Sequence, residues 1–241
     1  MGHYLGNFYF DPAYTWTYVL VMITFAASLI AQIRVKTTFS KYSGRENKNR
    51  LTAEQAAQRV LDYYGVDDVS IQHINGKLTD NYNPSTSIIS LSDEVYGSTS
   101  IAAIGVACHE AGHAAQHAQG YLPIRIRNAI IPVCNIGNYL GVPLAILGAV
   151  INMYGLVYFG LLLYSFIAIF QFATLPVEFN ASRRAIKVIE ETGMLDKQES
   201  RGAASVLKAA AMTYVAAAAT VLANVIRFAV MILGGSNRRS N

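Results

Sequence analysis

Residues 16–33 read WTYVLVMITFAASLIAQI, a stretch with no charged side chain. It approaches the roughly 20 apolar residues that a helix needs to cross a bilayer. Two more apolar segments lie at about 129–150 and 154–175, and no Lys or Arg occurs between Asn128 and Arg183. A fourth, at about 211–233, is rich in alanine and contains Arg227. In a chain of 241 residues, 53% hydrophobic and 14% charged side chains are too apolar for an ordinary soluble domain. These segments predict a mainly α membrane protein, one integrated domain over 1–241 with about four transmembrane helices at 14–33, 129–150, 154–175 and 211–233.

Lys and Arg set the orientation. Residues 1–33 contain neither, whereas Arg34, Lys36, Lys41, Arg45, Lys48 and Arg50 follow directly. The first segment therefore lacks the basic start of a signal peptide and reads as a span with its N-terminus, including His3, outside. Residues 34–128, with ten basic residues, then face the cytoplasm. The uncharged turn near Asn152–Gly155 lies outside. The chain returns to the cytoplasm for 177–210, with Arg183, Arg184, Lys187, Lys197, Arg201 and Lys208. Arg238 and Arg239 fall outside if the fourth segment spans fully, which is the weak point of this topology. The expected location is a membrane crossed several times.

The formal charge of +4 comes from basic residues beside the spans, where anionic lipid head groups meet them. No basic patch interleaved with aromatics accompanies them, so no nucleic-acid partner is expected. Cys108 and Cys134 lack the C-x-x-C spacing of redox or metal sites and read as small core residues.

Thr37–Arg50 reads as a polar linker. Thr52 and Gln55 form a capping box for a helix over 53–64 that Gly65 ends. Val69–Ile74 and Ser87–Leu91 read as strands, with turns at Asn75-Gly76 and Asn83-Pro84. That sheet is either a structural hairpin or an edge on which an extended substrate pairs. Ser98, Thr99 or Ser100 caps a helix running to about Gln119, and Gly120 stops it. Gly137 and Gly141 form a G-x-x-x-G helix-packing face. Pro176 is expected to end or kink the third span, with a new helix to about Glu191 and a stop at Gly193. Asp196 and Glu199 resemble the cap of a long last helix.

The helix after Ser100 carries His109-Glu110-Ala111-Gly112-His113. Histidines four apart share one helix face, so both imidazoles can reach one zinc ion. Glu110 leans beside the metal and can take a proton from a zinc-bound water. A shuffled chain of this composition would show H-E-x-x-H about 0.003 times, so chance does not explain it. The alternative is a buried helix with hydrogen-bonded core histidines. A catalytic zinc needs a third protein ligand. His117 lies two turns, about 12 Å, past His109 and cannot easily converge with it, and Gln119 stands where the metzincin extension needs histidine. His73 lies in the strand region. Glu178 is a carboxylate just past an uncharged span, on the same side as the histidines.

Leu175-Pro176-Val177-Glu178-Phe179-Asn180-Ala181-Ser182-Arg183-Arg184-Ala185 resembles the E-F-x-A-D segment of membrane-embedded gluzincins, the heat-shock-associated and CAAX-processing proteases. Ser182 stands here in place of the usual aspartate. With His109–His113, Lys77-Leu78-Thr79-Asp80 and Leu207–Ala219, nearly the whole chain resembles the bacterial neutral zinc metallopeptidases, small membrane proteins of this length. The resemblance implies a cytoplasmic zincin-like α+β catalytic region, Zn2+ as cofactor, and His109, His113 and Glu178 as metal ligands. It also implies a peptide or membrane-protein substrate.

The expected activity is therefore that of a membrane-bound zinc endopeptidase with Glu110 as general base. Tyr214, Arg183 and His73 are the candidates for stabilising the oxyanion. A non-catalytic zinc-binding scaffold that regulates a partner is the alternative, although the intact Glu110 argues against it. A solute transporter using Asn135, Asn138, Asn152, Gln171 and Asn224 is weaker still, because no paired carboxylates mark an ion path. Substrate preference, oligomeric state and any membrane-protein partner are not encoded legibly.

Overall fold

The computed structural model describes residues 14–237, with side chains to residue 231. His3, Arg238 and Arg239 lie outside the described residues. The element order is α1 (Thr15–Ser43), α2 (Ala53–Tyr64), β1 (Ser70–His73), β2 (Asn81–Asn83), β3 (Ile88–Leu91), α3 (Ile101–Ala118), α4 (Leu122–Val150), α5 (Tyr154–Glu191) and α6 (Lys197–Asn237). The protein is mostly helical, and α1, α4, α5 and α6 are long and apolar enough to cross a membrane. The chain clusters into two compact units.

Among the described residues the first unit comprises 14–30, 127–173 and 214–237. Many of its large apolar side chains point outward, Met22, Ile23, Tyr139, Ile146 and Phe159 among them. Such a surface is stable against lipid rather than water. The small residues do what the G-x-x-x-G pattern predicts. A Cβ on Gly141 would lie 3.0 Å from the Tyr164 backbone nitrogen, so α4 and α5 touch backbone to backbone. The Ser28 and Thr220 hydroxyls pair at 3.0 Å. Arg227 places its guanidinium 4.2 Å from the Tyr18 ring centroid, a cation–π contact that gives its charge a neighbour within this apolar unit.

The second unit comprises 31–126 and 174–213. Its core joins Val60 and Leu61 of α2, Ile89 and Leu91 of β3, Ile104 and Ala107 of α3, Val188 and Ile189 of α5, and Val206 and Leu207 of α6. Alanines at 102, 103, 107, 111, 114 and 115 of α3 are fully buried, so neighbouring elements approach this helix on several sides. Ser100 is the cap among the three candidates, its Oγ accepting from the Ala103 N–H at 3.2 Å. In α2, Gln55 Oε1 accepts from the Thr52 N–H, and Gly65 adopts φ +64 at the stop. Gly193, at φ +62, follows the end of α5. Asp196 Oδ1 accepts from the Glu199 N–H while Glu199 Oε2 accepts from the Asp196 N–H, the reciprocal cap expected for α6.

Three local expectations change. Residues 37–43 continue α1 rather than forming a linker, because Phe39 is buried in the second unit's core and Tyr42 packs against it. Of the two outcomes expected at Pro176, an end or a kink, the helix does not end there, since α5 runs from Tyr154 to Glu191 with Pro176 inside it. Burial of Val177, Ala181 and Ala185 holds the helix together past the hydrogen bond that Pro176 cannot donate. The strands do not form a simple hairpin. The sheet order is β1-β3-β2, with β1 parallel to β3 (Ile71 opposite Ile89) and β2 antiparallel to it (Tyr82 opposite Ile89). The extra strand, Asn81-Tyr82-Asn83, is too short and polar to show in a hydrophobic pattern. Asp80 pins its entry by accepting from the Ser92 N–H at 2.8 Å and from the Ser92 hydroxyl.

Candidate metal centre

The helical spacing of four brings His109 and His113 together on α3, their Nε2 atoms 3.2 Å apart. Glu178, on the part of α5 past Pro176, completes the group. Its Oε2 lies 3.3 Å from His109 Nε2 and 3.6 Å from His113 Nε2. The three side chains are 15%, 11% and 5% exposed, so the cluster is largely shielded.

The approach of the two helices is set by Gly112. A Cβ there would fall 2.7 Å from the Ala181 carbonyl oxygen, so any larger residue would push α3 away from α5 and Glu178 away from the imidazoles. The glycine between the two histidines is a packing requirement of this site.

The donor set fits a zinc ion. Tetrahedral zinc with ligand bonds of about 2.0–2.1 Å separates its donors by about 3.3 Å. The observed edges of 3.2, 3.3 and 3.6 Å scatter about that value. Two imidazole nitrogens and one carboxylate oxygen also leave a fourth position free, as a hydrolytic site needs. Among the described residues, His109, His113 and Glu178 are the group of three that could hold a metal ion.

The surrounding contacts orient the two imidazoles. Ser182 Oγ lies 3.1 Å from His109 Nδ1, so the hydroxyl takes the place of the aspartate of the E-F-x-A-D segment. Gln116 Oε1 lies 3.0 Å from His113 Nδ1. Burial pushes the His113 imidazole towards its neutral form, but Glu178, Glu110 and Gln116 outweigh it and leave its pKa raised. Glu110 is 9% exposed on the same helix.

A family model described as "Putative neutral zinc metallopeptidase" matches residues 17–233. The chain belongs to this family. It is also 40% identical over 220 residues to a Bacillus subtilis (strain 168) protein named "Putative membrane protease YugP", a match covering 90% of this chain and 98% of that one. No solved structure matches the chain. Membership in the zinc metallopeptidase family agrees with the resemblance read from the H-E-x-x-H and Glu178 segments, and with the four apolar helices.

Two other histidines and one arginine singled out from the sequence make contacts of their own. His73 Nε2 contacts Asp93 Oδ1 at 2.8 Å on an exposed surface, and Asp93 is held below the ordinary carboxylate range by the Gly76 N–H and His73. His117 faces Tyr82 of β2, its Nδ1 3.4 Å from the phenol oxygen. Arg183 donates to the Phe179 carbonyl on its own helix. Tyr214 belongs to the first unit. Cys108 is fully buried, and burial pushes its thiol well above the ordinary range, which suits an inert core residue. The sequence reading missed Gln116 and Asn180. The available signal was an amide three residues past His113, on a helix otherwise buried through alanines.

Proposed function

We propose that the protein is a membrane-bound zinc endopeptidase in which His109, His113 and Glu178 hold the metal and Glu110 is the general base. The observation that carries this reading is the triangle of donor atoms with tetrahedral edges, next to a buried carboxylate that is not part of it. A zinc ion held there would acidify water and polarise the scissile carbonyl. The side chains contribute the rest. The two imidazoles are neutral donors and Glu178 supplies one negative charge, so a divalent ion held by these three residues would keep a net positive charge towards an oxyanion. Glu110, one residue past His109, accepts the proton of the attacking water and returns it to the leaving amine. Ser182 and Gln116 hold the imidazole rings in place. Detergent-solubilised protein should cleave an unfolded or membrane-protein substrate, lose that activity in a chelator and regain it with zinc. Proteolysis that persists after complete metal removal, confirmed by metal analysis, would sink this reading.

The distribution of Lys and Arg supports a topology in which residues 34–128 and 177–210 share the cytoplasmic face of a bacterial plasma membrane. Single cysteines placed at Lys41 and Lys187 should then be labelled from the same side. Labelling from opposite faces would break the topology.

A further inference from the structure

The side chain of Gln116 is fully buried one turn past His113, and every polar atom on it is engaged. Its Nε2 donates to the Val177 carbonyl at 2.8 Å and to Asn180 Oδ1 at 2.9 Å. Its Oε1 sits 3.0 Å from His113 Nδ1. An amide can often be turned end for end without changing its shape, but here it cannot. The Val177 carbonyl is only an acceptor, so the NH2 group must face it. Asn180 Oδ1 is fixed as an acceptor as well, because Arg184 Nε donates to it at 2.8 Å. Arg184 is itself held, donating through Nη1 to Gln119 Oε1 at 2.7 Å with its guanidinium over the Tyr64 ring.

With the amide fixed, the atom facing His113 Nδ1 is an oxygen, which cannot donate. His113 therefore carries a proton on Nδ1, and in the neutral ring the lone pair falls on Nε2, the nitrogen that lies 3.6 Å from Glu178 Oε2 and 3.2 Å from His109 Nε2. The Val177 carbonyl that fixes the amide belongs to the residue before Glu178. One side chain thus reads the position of the Glu178 helix and sets the tautomer of a histidine on the other helix.

Resting on the metal reading above, we propose that Gln116 is a positioning residue for the metal, selecting the His113 tautomer that binds through Nε2. A purely structural amide would support packing without controlling which ring nitrogen is free. Loss of such a partner typically lowers metal affinity about 10–100-fold.

The test is zinc affinity by competition with a chromophoric chelator in solubilised full-length protein, combined with 15N spectra of the histidine rings. The parent should bind one zinc, with His113 protonated on Nδ1 and metallated on Nε2. Gln116→Leu keeps the volume but removes the acceptor, and should weaken zinc binding about 10–100-fold. Because it also removes the bonds to Val177 and Asn180, the affinities are compared once the metal-free variant is shown to be folded. Asn180→Ala leaves the Val177 carbonyl to fix the amide, and should bind zinc nearly as the parent does. Unchanged affinity in a folded Gln116→Leu protein would overturn the proposal while the metal reading stands. A parent that binds no zinc would overturn both. Should the leucine variant fail to fold, the ring spectrum of the zinc-loaded parent decides, and a His113 proton on Nε2 overturns the proposal.

Discussion

Glu110→Gln should retain zinc and the fold while proteolysis falls by about two to four powers of ten, the usual cost of removing a general base. The substitution keeps the size of the side chain and its ability to accept a hydrogen bond, but glutamine cannot take a proton from water near neutral pH. Glu110 lies outside the His109, His113 and Glu178 cluster, so metal content should match the parent. The decisive measurement pairs metal analysis with cleavage of one substrate by parent and variant at equal zinc occupancy. Unchanged cleavage would move the base elsewhere. Full complementation of a deletion by the variant would instead favour the zinc-binding scaffold, whose role does not need catalysis.

The second large effect is on the metal itself. The parent should hold one zinc per chain, lost on His109→Ala or His113→Ala and strongly weakened on Glu178→Ala. Each change removes one corner of a triangle whose edges are 3.2 to 3.6 Å, and two remaining ligands hold zinc poorly. A thermal readout follows from mass action. Free zinc at 100 times its dissociation constant would stabilise the folded parent by about 2.7 kcal/mol. Zinc should therefore raise the melting temperature of the parent but not that of His113→Ala. Full retention of zinc by Glu178→Ala would place the third ligand elsewhere and remove the link between α3 and α5 from the mechanism.

Much of the architecture follows from short-range signals. The uncharged stretches around 16–33, 129–150 and 154–175 announce apolar helices because a bilayer demands that length and composition. The Thr52–Gln55 and Asp196–Glu199 caps and the glycines at 65 and 193 are equally local, since each satisfies backbone groups within one turn. At Pro176 the expected stop is absent for the opposite reason. A local rule says stop, but the helix is held by burial of Val177, Ala181 and Ala185 against distant parts of the chain. The same holds for residues 37–43, which look like a linker until Phe39 reaches the core. Strand β2 is silent because its three polar residues have no pattern, and its register exists only through pairing with β3.

The sequence by itself determined the two-histidine face of α3, since a spacing of four on a helix dictates it. It also pointed to Glu178 by its position just past an apolar segment. Only the tertiary structure decided that Glu178 Oε2 and the two Nε2 atoms share one small volume, and that His73 does not. It also assigned His109 to Ser182 and His113 to Gln116. Apart from the His113–Gln116 contact within α3, those relations join residues 65 to 73 positions apart. They depend on Gly112 letting α3 press against the Ala181 backbone, and no periodicity along the chain records a distance between two helices.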